Sequence, residues 1–270
     1  VGTSHCEPMM RNNVGEWDAE RYGEYDFAAN RAGVLRYWRE RVLEVADDEN
    51  IFTLGMRGIH DGEMAGAVTL DEQTALTNEV IRAQRQLLSA ELHRPVGDIP
   101  QTFVPYKEVL DIYDNGVELP DDVTLMWCDD NYGYITRLSN AAEQARSGGA
   151  GVYYHVSYYG KPHDYLWLAT SQPALMASEM RRAWDYGARK IWILNVGDLK
   201  PAEYPAELFL DMAWNVDAVA PETVGEHQRR WLEREFGPVV APRAAALMRE
   251  HYRLAAERKP EHMKSEAKRS

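Results

Sequence analysis

The chain has 270 residues, 45% apolar and 27% charged, with 8 Trp and 15 Tyr, which excludes disorder and allows one large α/β barrel or two ordinary domains. Lys+Arg 30 against Asp+Glu 43 gives a formal charge of -13, which argues against a nucleic-acid partner, because phosphate contacts need a basic face. No run of about 18 apolar residues marks a helical membrane span, and Cys6 and Cys128 are too few for a disulfide framework.

The first residues, Val1-Gly2-Thr3, show no basic or apolar region of a signal peptide. Apolar residues Val34, Leu35, Trp38, Val42, Leu43 and Val45 predict a helix over 27–46. A short strand is expected at 51–54, then a long helix over 70–92 opened by Asp71 and Glu72, which suit the positive helix N-terminus. Further strands are expected at 102–104, 123–127, 152–154 and 190–194, each followed by a helix, at 106–113, 141–146, 173–186 and 202–214. Strands apolar on both faces, alternating with helices, imply a parallel sheet covered by helices. Five βα units are visible, whereas a closed (β/α)₈ barrel has eight and an open doubly wound sheet could stop at five.

After Asn215 the strand signals end. A helix with Thr223 as N-cap runs to Phe236, and a second spans about 242–257. The expected division is therefore 1–218 for an α/β domain and 219–270 for the start of a helical one. The polar residues 259–270 read as a frayed end.

Polar groups collect after the strands: Arg57, His60 and Asp61; Tyr106, Lys107 and Glu108; Asp129 and Asp130; His155, Ser157, Tyr158 and His163; Asn195 and Asp198. The opening Ser4-His5-Cys6-Glu7-Pro8 joins them if a strand ends just upstream. This is the distribution expected when strand C-terminal ends face one active-site mouth. Carboxylates with His, Asn, Tyr and aromatic neighbours suit carbohydrate chemistry, in which one carboxyl protonates the leaving oxygen and another activates water or attacks the sugar. Asp61, Glu108, Asp129 and Asp130 are the candidates. Partial burial on its short loop would suit Glu108 for acid work, and Arg57 is the cation that an anionic sugar demands.

Blander roles compete at several positions. His60-Asp61 could hold a loop, and one of Asp129 and Asp130 reads as a turn or cap residue. Alternate residues of 153–159 must face the core, and Trp127, Trp167 and Trp192 read as core rather than as sugar platforms. Glu7 and Glu16 could be ordinary loop charges.

Several motifs together resemble the α-glucuronidases of glycoside hydrolase family 115. They are Ser-His-Cys-Glu-Pro-Met (4–9), Asn-Asn-Val-Gly-Glu-Trp (12–17), Leu-Gly-Met-Arg-Gly-Ile-His-Asp-Gly (54–62) and Trp-Cys-Asp-Asp-Asn-Tyr-Gly-Tyr (127–134). Gly-Ala-Gly-Val-Tyr-Tyr-His-Val-Ser-Tyr (149–158), Tyr-Leu-Trp-Leu (165–168), Asn-Val-Gly-Asp-Leu-Lys-Pro (195–201) and Arg-Lys-Pro-Glu (258–261) extend the resemblance over nearly the whole chain. The resemblance implies a TIM-like barrel followed by a helical domain, and an inverting enzyme that removes α-1,2-linked glucuronic acid, or its 4-O-methyl ether, from xylan or its oligosaccharides. By position it makes Glu108 the general acid and Asp61 a catalytic carboxylate, the base being Asp61, Asp129 or an upstream carboxylate. It makes His5, Arg57, Tyr106, Asp129, His155, Tyr158 and Asn195 groups of the uronic-acid pocket. The barrel's first two βα units and most of its third strand are expected upstream of Val1. A secreted or periplasmic location follows from the substrate, and a homodimer of the full-length protein from subunit contacts that can complete a xylan site.

No cofactor is expected, since there is no Gly-rich dinucleotide or phosphate fingerprint. The rival readings are a metal-dependent hydrolase using His5, His60, Asp61, Asp129, His155 and His163, and a non-catalytic carbohydrate-binding module.

Overall fold

A computed structural model of the chain describes residues 1–160 and 164–263. Two compact units form, residues 1–127 with 141–150 and residues 128–140 with 151–270. His163 and the end of the polar tail lie outside the described residues.

Unit 1 opens with a strand-like segment, in which Gly2 bridges Ile51 in parallel and the Ile51 N–H donates to the Val1 carbonyl at 2.8 Å. Three helices follow, α1 (Asn13–Glu16), α2 (Ala19–Tyr22) and α3 (Arg31–Glu44). α3 starts later than its apolar period suggests because Asn30 caps it, its side chain accepting from the Gly33 N–H at 3.2 Å. A Cβ on Gly33 would fall 2.0 Å from the Tyr22 carbonyl oxygen, so the close approach to Tyr22 requires glycine there.

β1 (Phe52–Leu54) leads to α4 (Leu70–Leu92), β2 (Gln101–Phe103), α5 (Glu108–Asp114), β3 (Thr124–Cys128) and α6 (Ala141–Gln144). β1 pairs with β2, and β2 with β3, in parallel. α4 begins with a full capping box between Thr69 and Glu72, so two of its otherwise unpaired N–H groups are satisfied before the first turn closes. The strands are buried on both faces, and the polar residues inside them have partners. Thr53 Oγ1 donates to the Thr3 carbonyl at 2.6 Å, Thr124 Oγ1 to Gly148 at 2.9 Å, and Gln101 Nε2 to Val96 and Ile99 at 2.7 Å each.

Gln84 of α4 is fully buried and braces the end of β1. Its amide accepts from the Gly55 N–H at 2.8 Å and donates to the Gly55 carbonyl at 2.7 Å. Gly55 has φ 99°, and a Cβ there would press on the Phe103 ring at 3.3 Å. The chain therefore turns out of the sheet at this glycine and delivers Arg57 beyond it.

Unit 2 holds β4 (Ala150–His155) from its second residue, α7 (Pro173–Asp185), the neighbouring β5 (Ala188–Asn195), α8 (Glu203–Trp214), α9 (Val224–Phe236) and α10 (Ala241–Glu257). α7 buries Met176, Ala177, Met180 and Ala183, and α8 buries Leu208, Phe209 and Met212, each set at helical spacing. β5 departs from the expectation of strands covered on both faces: Arg189, Lys190 and Ile193 are exposed, the pattern of an edge strand among the described residues. Thr223 precedes α9 but does not cap it with its side chain. Its hydroxyl instead bonds both the N–H and the carbonyl of Ala220. Tyr204 ties α8 to α9, its hydroxyl donating to the Val224 carbonyl at 3.2 Å and its ring lying 5.3 Å from that of Trp231.

The fold is thus α/β: among the described residues five strands alternate with helices, part of the eight units of a TIM-like barrel, with α9 and α10 beginning a helical region. No helix among the described residues is long and apolar enough to cross a membrane.

Gln84→Leu should preserve the apolar volume but leave both Gly55 backbone groups unpaired in the core. Each such group costs about 1–3 kcal/mol, so for the two the urea midpoint is expected to fall by an amount equivalent to about 2–6 kcal/mol at unchanged slope. An unchanged midpoint would remove Gln84 from its bracing role.

Candidate active site

Unit 1 gathers His5, Arg57, Asp61, Tyr106 and Glu108. Arg57 is the centre, at 4% exposure. Its Nε donates to Glu108 Oε1 at 2.7 Å and its Nη2 lies 2.6 Å from the same oxygen. Its Nη1 donates to Asp61 Oδ1, and Nη2 donates to the Asp61 carbonyl at 3.2 Å. The guanidinium that the sequence assigns to a sugar carboxylate therefore sits between two protein carboxylates. Those carboxylates lie in the open, with side chains 36% exposed at Asp61 and 37% at Glu108.

His5 completes the group. Its Nε2 meets Asp61 Oδ1 at 3.0 Å, its Nδ1 meets Ser4 Oγ at 3.0 Å, and its ring packs edge-on against Tyr106 at 4.5 Å. A carboxylate oxygen accepts, so Nε2 carries the proton in this pair. The His5 hydrogen bond is the strongest influence on Asp61. Together with the charges of His5, Arg57 and Lys107, it outweighs partial burial and holds that carboxyl far below the usual range. Asp61 is therefore an anion at any working pH.

Local backbone geometry aims these groups. Lys107 has φ 52° and ψ -125°, a conformation that residues with a Cβ rarely adopt, and it separates Tyr106 from the first residue of α5, Glu108. This is why α5 begins at Glu108 rather than at 106. His60 has φ 56°, and its N–H donates to Asn13 Oδ1 at 2.9 Å. Asn13 Nδ2 in turn donates to the carbonyls of Cys6 at 3.1 Å and Gly58 at 3.4 Å. Asn13 thus joins the loop of His5 to the loop of Asp61, a role that the sequence reading missed. Its signal was an Asn in a polar motif beside an apolar-poor stretch, where asparagine favours local backbone bonding. Strained non-glycine positions beside reactive groups are a recurring mark of functional sites.

Unit 2 gathers Asp129, His155, Tyr158 and Asn195. Asp129 is fully enclosed at the end of β3. Its Oδ1 accepts from the His155 N–H at 2.9 Å and meets His155 Nδ1 at 2.7 Å, and its Oδ2 accepts from the Asn131 N–H at 3.0 Å. With Nδ1–H on the carboxylate, Nε2 is left to face other groups. His155 packs edge-on against Tyr153 at 4.7 Å and Tyr158 at 6.1 Å, and Asn195 Nδ2 donates to the Tyr153 hydroxyl at 2.7 Å. Asp130 is a turn residue, its Oδ1 accepting from Tyr132 and Tyr134 at 2.9 and 3.1 Å. Trp127 is core, Trp192 is half-buried, and Trp167 is 67% exposed, contrary to the core reading, because it follows the Tyr158–Tyr165 bridge in a loop outside any strand or helix.

Among the described residues, two clusters have metal-ligand composition: His5, Cys6 and Asp61, and Glu207, Asp211 and His227. Burial pushes the Cys6 thiol up to about 11, helped by Asp61 and Glu7, so it is a neutral thiol. His5 and Asp61 already face each other as donor and acceptor. The first cluster thus fits a hydrogen-bonded pair better than a thiolate metal site.

A family model described as Glycosyl hydrolase family 115 matches residues 1–262. Among solved structures, the chain is similar to a family GH115 4-O-methyl-α-glucuronidase, BtGH115A, with specificity for decorated arabinogalactans, at 54% identity and a TM-score of 0.94. That match covers 100% of this chain and 36% of the other, so this chain spans about a third of its length. No curated protein matches.

Because the folded state lowers the Asp61 carboxyl, the group contributes stability that is complete above its ordinary value of 3.8 and is lost as pH falls below it. Asp61→Asn removes that term. The gap in melting temperature between native and variant chains should therefore be widest at neutral pH, begin to narrow below about pH 4 and close only as pH approaches the lowered value of the folded carboxyl. A gap independent of pH would contradict the assignment.

Proposed function

We propose that this chain, which belongs to glycosyl hydrolase family 115, carries the acid–base groups of an α-glucuronidase. The substrate is a glycan bearing α-1,2-linked glucuronic acid or its 4-O-methyl ether, with xylan and its oligosaccharides as the backbone. The observation that carries this reading is the pair of half-exposed carboxylates, Asp61 and Glu108, held on one buried guanidinium beside His5 and Tyr106.

In this reading the sugar's own carboxylate takes over Arg57 on binding and releases Glu108 from that ion pair. Glu108 then picks up a proton from solvent and gives it to the glycosidic oxygen as the bond to the anomeric carbon breaks. Water attacks that carbon from the opposite face and passes its proton to Asp61, so the anomeric configuration inverts. Asp61 is always available as the anion, but a carboxylate this stabilised is a weak base. Approach of the sugar's own carboxylate to Arg57 would draw the guanidinium away from Asp61 and raise its basicity as the substrate binds. That would give Arg57 the anion-recognition role its motif suggests. Tyr106 and His5 form the wall beside the acid. Asp129, His155, Tyr158 and Asn195 serve as sugar-binding groups of unit 2, Asp129 acting through His155. Residues 1–218 make up the barrel portion and 219–270 the start of the helical domain. The substrate places the enzyme outside the cytoplasm, secreted or periplasmic, with a homodimer in the full-length protein.

A second backbone has a specific observation in its favour, because the similar solved enzyme is described as specific for decorated arabinogalactans. Release of glucuronic acid from glucuronoxylan and from decorated arabinogalactan, measured side by side, decides between them.

Glu108→Ala should lower turnover of a glucuronoxylan oligosaccharide by about 10²–10⁴-fold, the usual contribution of a general acid. It should leave much of the activity on α-glucuronosyl fluoride, whose leaving group needs no proton. Asp61→Ala should lose both activities, and proton NMR of the native reaction should show β-glucuronic acid first. Turnover that survives Glu108→Ala on the oligosaccharide would return the chain to a binding module. Loss of activity on exhaustive chelation would favour a metal-dependent hydrolase.

A further inference from the structure

The Arg258-Lys259-Pro260-Glu261 motif just after α10 has no part in the chemistry above, yet it places a lysine in the interior of unit 2. We infer that Lys259 is a positioning residue for the Asp129–His155 pair, holding it through Tyr165. The inference rests on the sugar-binding role proposed for that pair.

Lys259 is buried. Its Nζ donates to Thr170 Oγ1 at 3.0 Å and sits 4.2 Å above the Tyr165 ring. An ammonium over an aromatic face is attracted by the ring's negative quadrupole, more strongly when water is excluded. From Tyr165 two routes lead to Asp129. Through its side chain, the Tyr165 hydroxyl donates to the Asn131 carbonyl at 2.7 Å. Asn131 has φ 68°, and its N–H is the donor to Asp129 Oδ2. Through its backbone, Tyr165 exchanges N–H and carbonyl with Tyr158 at 2.9 Å in each direction, and the Tyr158 ring packs against His155. Both oxygens of Asp129 are thus oriented by elements that Tyr165 anchors. His262 closes the far side, its ring 6.2 Å from Tyr165 and 6.0 Å from Tyr132, and the Arg258 Nε donates to its carbonyl at 3.1 Å.

The charge needs explaining, because an apolar side chain would fill the same space without desolvating a cation. Burial pushes Lys259 down to about 8, while the carboxylates of Glu261 and Asp129 act in the opposite direction. At about 8 the group is still mostly an ammonium near neutral pH, and its charge acts on Asp129, which a methionine in the same place would not do.

The test uses the full chain of the protein and a glucuronic-acid-bearing xylo-oligosaccharide. Lys259→Met should lower kcat/KM at least tenfold, divided between kcat and KM as in His155→Ala, with the melting temperature within a few degrees of native. Lys259→Arg, which keeps the cation over the ring, should restore most of the loss. Added to His155→Ala, Lys259→Met should cost little more, since both act on one unit. Should Lys259→Met fail to fold, Tyr165→Phe removes only the hydroxyl that bonds Asn131 and should reduce kcat/KM several-fold. Native kinetics for Lys259→Met or Tyr165→Phe beside an impaired His155→Ala overturns the positioning role alone, as do fully additive losses. Native kinetics for His155→Ala overturns the sugar-binding reading and this inference with it.

Discussion

A guanidinium removed from water requires counter-charges within hydrogen-bonding reach, and Arg57 has two. Losing a partner would leave part of that buried charge uncompensated. The chain therefore cannot place Arg57 at the end of β1 without also holding Asp61 and Glu108 against it. Much of the local architecture serves that condition. Gln84 and Gly55 aim the strand end, Asn13 binds the loops of His5 and Asp61 together, and the unusual Lys107 backbone points Glu108 inward. The pair of carboxylates can be accessible because the charge beneath them is not.

The two clusters achieve their organisation differently. In unit 1 the carboxylates are exposed and one cation is buried. In unit 2 the carboxylate is buried, and its oxygens are occupied by two backbone N–H groups and one imidazole. The first arrangement leaves carboxyl oxygens able to exchange protons with a reacting molecule. The second converts a carboxylate into a scaffold that sets the tautomer and direction of a histidine. The overall charge of -13 therefore says little about anion recognition, which depends on local donors such as Arg57.

The regular elements were legible because periodicity reports burial. α4 occupies the range its pattern predicts, helped by the Thr69–Glu72 cap, and α7 and α8 differ from expectation only at their ends. The apolar run of β5 was equally legible, but its exposure was not, since a run of Ile and Trp is the same whether or not a neighbour covers it. The strand-end positions of Asp61, Glu108, Asp129 and His155 could be read from their place after apolar runs. Their pairing could not, because the partners are far apart in sequence: Arg57 and Glu108 by 51 residues, Asp129 and His155 by 26. The left-handed or strained backbones of His60, Lys107 and Asn131 also left no trace, since each is carried by a residue other than glycine.

Gln84 has one more consequence. By offering Gly55 one acceptor and one donor, its amide presents the complement that a neighbouring strand would have supplied at that rung. A side chain from a covering helix thus impersonates a strand and ends the ladder. Both backbone groups of Gly55 are therefore paired where the ladder stops, and the loop beyond is held by its own bonds, the Gly58 N–H to the Gly62 carbonyl at 2.8 Å and the His60 N–H to Asn13, rather than by the sheet.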